Sequence, residues 1–150
     1  MELAYSYKPK NEETSVKAII RDLNVSFKDG EVICDAIRGM PLLKAVSYLE
    51  EVIALKRPVP YRKYNKAIGH RPNLEKSCSG KYPKEVAKEM LIMLNNMISN
   101  AEYKGLNTDD LKITHIQALK GITRKGRKPK GRWKLWRTQL VHVQAVCEEK

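Results

Sequence analysis

An α+β fold is what this sequence predicts: three helices packed on a small antiparallel sheet, with a long basic β-hairpin protruding from it. Three observations lead there. Apolar residues recur at the three-and-four spacing of a helical face in three separate stretches. The pattern then switches to β-branched and apolar runs flanking a segment rich in Gly, Pro, Lys and Arg. That flanked segment holds many cations and almost nothing that could be buried. The 150 residues predict one domain, 1–150, with the extended hairpin at about 120–139 inside it. A chain of this size buries roughly 70% of its unfolded surface, so it needs no disulfide or metal to hold a core.

A short strand is expected at Leu3 to Tyr7, followed by a mixed stretch. Ser26 is placed to cap a helix running to about Arg38, whose apolar face is Val32, Ile33, Ala36 and Ile37 and whose stop is Gly39. Pro41 opens a second helix with a buried stripe of Leu42, Ala45, Val46, Leu49, Val52 and Ile53, while Lys44, Glu50 and Glu51 face water. Pro58 and Pro60 forbid its continuation. Arg57 to Lys81 has no sustained period and reads as a long loop, ordered by itself or by a partner. Pro83 then begins a long third helix: Val86, Ala87, Met90, Leu91, Leu94, Met97, Ile98 and Ala101 recur at helical spacing, and Gly105 fits the C-terminal cap.

Leu111 to Leu119 and Leu140 to Val146 form the arms of the hairpin. A turn centred near Pro129 and Lys130 sets Ile113 opposite about Val146 and Leu119 opposite about Leu140. Each arm then spans roughly 18 residues, or about 60 Å, whereas a 150-residue globule is only about 38 Å across. The hairpin must overhang, and a two-stranded ribbon alone in water is marginal. It needs a partner.

The charge points to what that partner is. The chain has 29 Lys and Arg against 17 Asp and Glu, a formal charge of +12. Lys120, Arg124, Lys125, Arg127, Lys128, Lys130, Arg132, Lys134 and Arg137 occur without a single acid among them, as do Lys56, Arg57, Arg62, Lys63, Lys66 and Arg71. Removing these fifteen from the 29 leaves 14 cations against 17 acids, an ordinary balance. Such uncompensated runs repel themselves unless a polyanion neutralises them. Neither has the apolar stripe of an interfacial helix. No apolar run reaches the ~18 residues of a membrane span, and the opening residues lack a secretory apolar stretch, so a soluble intracellular protein is expected.

Cys34, Cys78 and Cys147 are scattered, with no CxxC pair, so neither zinc nor a disulfide framework is indicated and a reducing compartment fits. Cys34 reads as a small buried thiol. His70 lies in the basic loop, while His115 and His142, in the two strands, read as structural. No phosphate loop, dinucleotide fingerprint or nucleophile elbow is present. Catalytic residues, metal and cofactor are all expected to be none.

Recognition remains. Arg and Lys meet phosphates, and interleaved aromatic rings stack on exposed bases. The candidate RNA-binding set is Tyr5, Tyr7, Lys8 and Lys10 near the N-terminus; Arg57, Arg62, Lys63, Tyr64, Lys66, His70 and Arg71 in the loop; and Lys120, Arg124, Lys125, Arg127, Lys128, Lys130, Arg132, Trp133, Lys134, Trp136 and Arg137 on the hairpin. Tyr61 joins Tyr64 as a loop aromatic. The alternative is an architectural DNA-binding protein whose basic β-arm embraces the minor groove with Pro129 as its wedge. Such proteins usually dimerise, and this sequence shows no obvious spare apolar face for that.

In order along the chain stand VSFK (Val25 to Lys28), AIRGM (Ala36 to Met40), YLEEVI (Tyr48 to Ile53), RPVPYRKYN (Arg57 to Asn65), IGH (Ile68 to His70), GKYP (Gly80 to Pro83), NAEYKGL (Asn100 to Leu106), HIQ (His115 to Gln117) and GR (Gly131-Arg132). With this order and spacing the chain resembles the family of large ribosomal subunit protein twenty-two, large-subunit protein seventeen in older eukaryotic usage, in its archaeal and eukaryotic form. The resemblance implies a structural constituent of the cytoplasmic large subunit, with a role in translation and subunit assembly and a small α+β domain at the polypeptide exit face. Its implied partners are large-subunit ribosomal RNA, neighbouring large-subunit proteins and the nascent polypeptide, with no membrane insertion and no homo-oligomer. The hairpin, about Lys120 to Gln139, would run between RNA segments, and Gly126, Arg127, Lys128, Pro129, Lys130, Gly131 and Arg132 would line the nascent-chain tunnel. Two departures stand out: WKLW at Trp133 to Trp136 replaces a smaller, more polar run, and the hairpin end and the loop before GKYP are shortened.

Overall fold

A computed structural model describes residues 5–72, 74, 79–131 and 134–149. Strand β1 (Ser15–Leu23) precedes helices α1 (Phe27–Ile37) and α2 (Leu42–Ile53), and the short strands β2 (Val59–Pro60) and β3 (Gly80–Lys81) bracket the basic loop. Helix α3 (Lys84–Tyr103) leads into the long strands β4 (Leu111–Arg127) and β5 (Leu135–Glu149). The main sheet has the order β1-β5-β4, antiparallel throughout, and β2 pairs with β3 in a small second ladder.

The helix boundaries follow the local chemistry. Ser26 Oγ accepts the Asp29 N–H at the start of α1. Gly39 and Gly105 adopt positive φ just past the ends of α1 and α3, a conformation that side-chain-bearing residues resist. The stripe of α3 buries Val86, Ala87, Met90, Leu94, Met97 and Ala101 as the spacing predicts, and adds Met93. These side chains meet α2 and β1, while α1 lies against β4. Val141, Val143, Ala145 and Cys147 of β5 supply the sheet side of the core.

Two expectations are corrected. Tyr5 to Tyr7 do not form a strand, and the rest of the segment expected there lies outside the described residues. The strand on the far side of β5 from β4 is β1, from what reads as a mixed stretch. The N-terminal segment is held instead by side chains: Ser6 Oγ donates to Gln117 Oε1 and accepts from Gln144 Nε2. The hairpin register also differs, with Ile113 opposite Cys147 and Leu119 opposite His142. Two bulges, between Ile113 and His115 and between Lys120 and Thr123, each add a residue to β4. They move the turn toward Gly131, which with Lys130 takes positive φ.

The described thiols give a pH prediction. Cys34 and Cys147 are buried and unpaired, and burial pushes both up to about 12. Tyr61 is raised too, by burial first and then by its bond to Asp29. A folded state that keeps protons the unfolded chain releases is fully stabilised below the unfolded values, near 8.5 for Cys and 10 for Tyr, and loses that advantage as pH climbs through the folded ones. The urea midpoint should therefore fall between pH 8 and pH 10.5. In a Cys78→Ser variant, neither remaining thiol should react with a thiol reagent at pH 8 without denaturant; prompt labelling would contradict the burial.

Candidate nucleic-acid interface

Three basic segments are positioned by three different devices. The loop between β2 and β3 is tied to an acidic face of α1. Tyr61, expected as a loop aromatic, is instead core, 1% exposed, and its hydroxyl donates to Asp29 Oδ1 at 2.8 Å. Tyr64 donates to Glu31 Oε2 at 2.7 Å, and Lys63 Nζ sits 3.1 Å from Glu31 and 3.4 Å from Asp35. Lys81 pairs with Asp29 at 3.0 Å. These contacts hold the Glu31 carboxyl below its usual range, the Tyr64 hydroxyl more than Lys63, and raise Lys63 in return. They also anchor Tyr64 at positive φ, which a tyrosine does not favour unaided; Ala67 in the same loop shares that conformation.

The loop cations thus divide. Lys63 and Tyr64 anchor the loop. Arg57 lies over the Tyr48 ring and 3.5 Å from Glu51, and Arg71 over the Tyr82 ring. His70 bridges to Ser79 and narrows the loop. Arg62 and Lys66 are exposed with no acidic partner among the described residues.

The N-terminal segment lies on the sheet face opposite the helices. Tyr7 stacks on His115 with ring centroids 5.4 Å apart, and its hydroxyl donates to Glu148 at 3.3 Å. The Lys10 N–H also donates to Glu148. His115 is pushed below its usual value, by burial first and then by Arg38. Tyr5 lies beneath Lys17, and Lys8 is exposed.

The hairpin carries the densest charge. Burial ends at Ala118 on β4 and Leu140 on β5; beyond them no described residue is buried. Lys120 lies over the Phe27 ring and belongs to the root. Arg124, Lys125, Arg127, Lys128, Lys130, Lys134 and Arg137 are all exposed. Apart from Arg127, none of these has an ion-pair partner among the described residues. Pairing puts Arg124, Gly126, Trp136 and Thr138 on one face and Lys125, Arg127, Leu135 and Arg137 on the other. Arg132 and Trp133 lie outside the described residues, so of the expected tip only Gly126 to Gly131 is described.

Sequence reasoning missed the positioning acids of α1 and Gly121 and Gln139 at the hairpin root, whereas His142, read as structural, accepts the Asp22 N–H there. The partners of the missed groups lie far along the chain, or across the sheet, and no local pattern announces them. Among the described residues no cluster of His, Cys, Asp and Glu could hold a metal ion, and no helix is long and apolar enough to cross a membrane.

Comparison with known proteins shows the family. The chain is 40% identical over 146 residues to the large ribosomal subunit protein uL22 of Archaeoglobus fulgidus, covering 96% of this chain and 94% of that one. It is 42% identical over 141 residues to uL22 of Methanocaldococcus jannaschii, covering 93% and 90%, and 34% identical over 151 residues to uL22 of Haloarcula marismortui, covering 99% and 97%. A model of the family described as ribosomal protein L22p/L17e matches residues 18–148, from the fourth residue of β1 to the last but one of β5. This chain belongs to the ribosomal protein L22p/L17e family.

Proposed function

We propose that this chain is a structural constituent of the large ribosomal subunit, in the cytoplasm, and no enzyme. It binds large-subunit ribosomal RNA through the hairpin and the loop, beside neighbouring large-subunit proteins, with the hairpin tip toward the nascent polypeptide in the exit tunnel. The observation that carries this reading is the exposed basic ribbon beyond Ala118 and Leu140, which has cations on both faces and no acid in its sequence. Such a ribbon gains order when RNA phosphates neutralise it and RNA helices flank it. The α1 acids preform the second contact by locking the loop so that Arg62 and Lys66 point outward. Tyr5, Tyr7, Lys8 and Lys10 extend the surface along the opposite sheet face. Lys63, Tyr64, His70, Arg57 and Arg71 contribute mainly by shaping the loop.

Affinity for large-subunit ribosomal RNA should fall steeply with salt, with a log-log slope on the order of −5 to −7 if about half of the fifteen clustered cations meet phosphates. A filter-binding titration from 50 to 400 mM salt measures it, and a flat response rejects the reading. In a cell lysate, the chain should sediment with large subunits and be released by RNase. Release by DNase, together with a homodimer, would favour the architectural DNA-binding alternative.

A further inference from the structure

The pairing of Gly126 with Trp136 sets an aromatic wall beside an empty floor. The two residues project to the same side of the ribbon, as directly paired residues of an antiparallel ladder do. A cross-strand aromatic ring commonly covers a strand glycine. Here it does not: a Cβ built on Gly126 would meet nothing within 4 Å, and Trp136 is 51% exposed. An open notch therefore adjoins the indole, and only glycine leaves its floor clear. Along the chain the notch is flanked by Arg124 on β4 and Lys128 just past its end, about 13 Å apart by strand rise. Lys134 lies beyond the wall, opposite Lys128, whose N–H donates to its carbonyl. All three cations are exposed and without an acidic partner among the described residues.

We infer that this notch takes one unpaired nucleobase of RNA, stacked on Trp136 over Gly126, with the adjoining phosphates met by Arg124, Lys128 and Lys134. A nucleotide joins a flat π face to an anion, and the notch offers both complements, with Arg124 and Lys128 each two residues from Gly126, about 7 Å by strand rise. An apolar peptide would use the wall and leave the cations bare. An RNA duplex would meet the cations but has no free base to insert. The inference rests on the RNA-binding reading above and narrows it: the finger selects an unstacked nucleotide at this level.

The test uses the full chain carrying Trp133→Phe, so that Trp136 is the only indole, with a 12-nucleotide oligoadenylate and a 12-base-pair RNA duplex as probes. The single strand should quench Trp136 emission by roughly half, while the duplex, bound as judged by anisotropy, leaves it nearly unchanged. Gly126→Val keeps a strand-compatible residue but fills the notch; it should abolish quenching and weaken single-strand binding on the order of tenfold, sparing duplex binding. Without any change at Trp133, Trp136→Leu should lose single-strand affinity on the order of tenfold and Trp136→Tyr should retain it. Equal quenching by duplex, or quenching that survives Gly126→Val, overturns the notch and leaves RNA binding standing. Stronger quenching by an uncharged apolar peptide overturns it in favour of a protein occupant. Failure of both RNA probes to bind at low salt overturns the RNA-binding reading itself.

Discussion

Replacing Arg124, Lys125, Lys128, Lys130 and Lys134 together by Gln should lower affinity for large-subunit ribosomal RNA on the order of 10³- to 10⁴-fold at about 0.1 M salt, and flatten the log-log salt slope by about 4. Each cation that meets a phosphate releases a counterion, so losses from separate contacts accumulate roughly in proportion to their number. These five are exposed and have no acidic partner among the described residues, so no internal bond is lost with them. The thermal midpoint of the free protein should hold or rise slightly, because the substitutions lie beyond the last buried residues and relieve self-repulsion. Lys120 is left in place because it covers Phe27. Removing Lys44 and Lys84, on the exposed faces of α2 and α3, should change the affinity less than about threefold, the size of a screened surface charge. Two measurements decide it: binding as a function of salt, and melting without RNA. A loss below tenfold for the fivefold variant would move the interface off the hairpin.

The contrast between what was legible in the sequence and what was not follows the range of the forces. Ser26, Gly39, Pro41 and Gly105 act within a few residues of themselves, so the helices they bound could be read directly. The uncompensated cations of the hairpin were equally plain, since charge is additive along a chain. Strand β1 was not, because Val16, Ala18 and Ile20 alternate only briefly and its pairing partner, β5, lies more than a hundred residues away. Nor was the division of the loop cations. Lys63 and Arg62 are neighbours in sequence, yet Lys63 is held by Glu31 and Asp35 on α1 while Arg62 is exposed without an acidic partner among the described residues. The register slipped for a related reason: a bulge depends on which side chains collide across the ladder.

Gly121→Val should destabilise the protein by about 2–4 kcal/mol, the sum of overpacking and a broken polar contact. Gly121 has no positive φ, so its requirement comes from space and not from backbone conformation. A Cβ there would stand 2.6 Å from His142 Nε2 and 2.9 Å from Cε1. An unconstrained imidazole could swing away. This one is held, because its Nδ1 accepts the Asp22 N–H at 2.9 Å where β1 itself bulges and Asp22 takes a φ of 58°. On the other side of the bulge Gln139 Nε2 donates to the Gly121 carbonyl at 2.7 Å, and Gln139 Oε1 accepts from Thr123 Oγ1 at 2.7 Å. The two irregularities thus coincide where the three-stranded sheet narrows to a two-stranded ribbon, and bulges at such places set the direction in which a strand leaves. Moving His142 frees Asp22 and lets the root of the finger turn. The variant should therefore unfold at lower urea and also bind large-subunit RNA more weakly at temperatures where it remains folded, although no cation has been removed. A second change, His142→Ala, opens space for the valine, so it should recover part of the lost stability in the double variant while neither substitution alone is neutral. Purely additive losses across that cycle would show that the contact between Gly121 and His142 does not set the root.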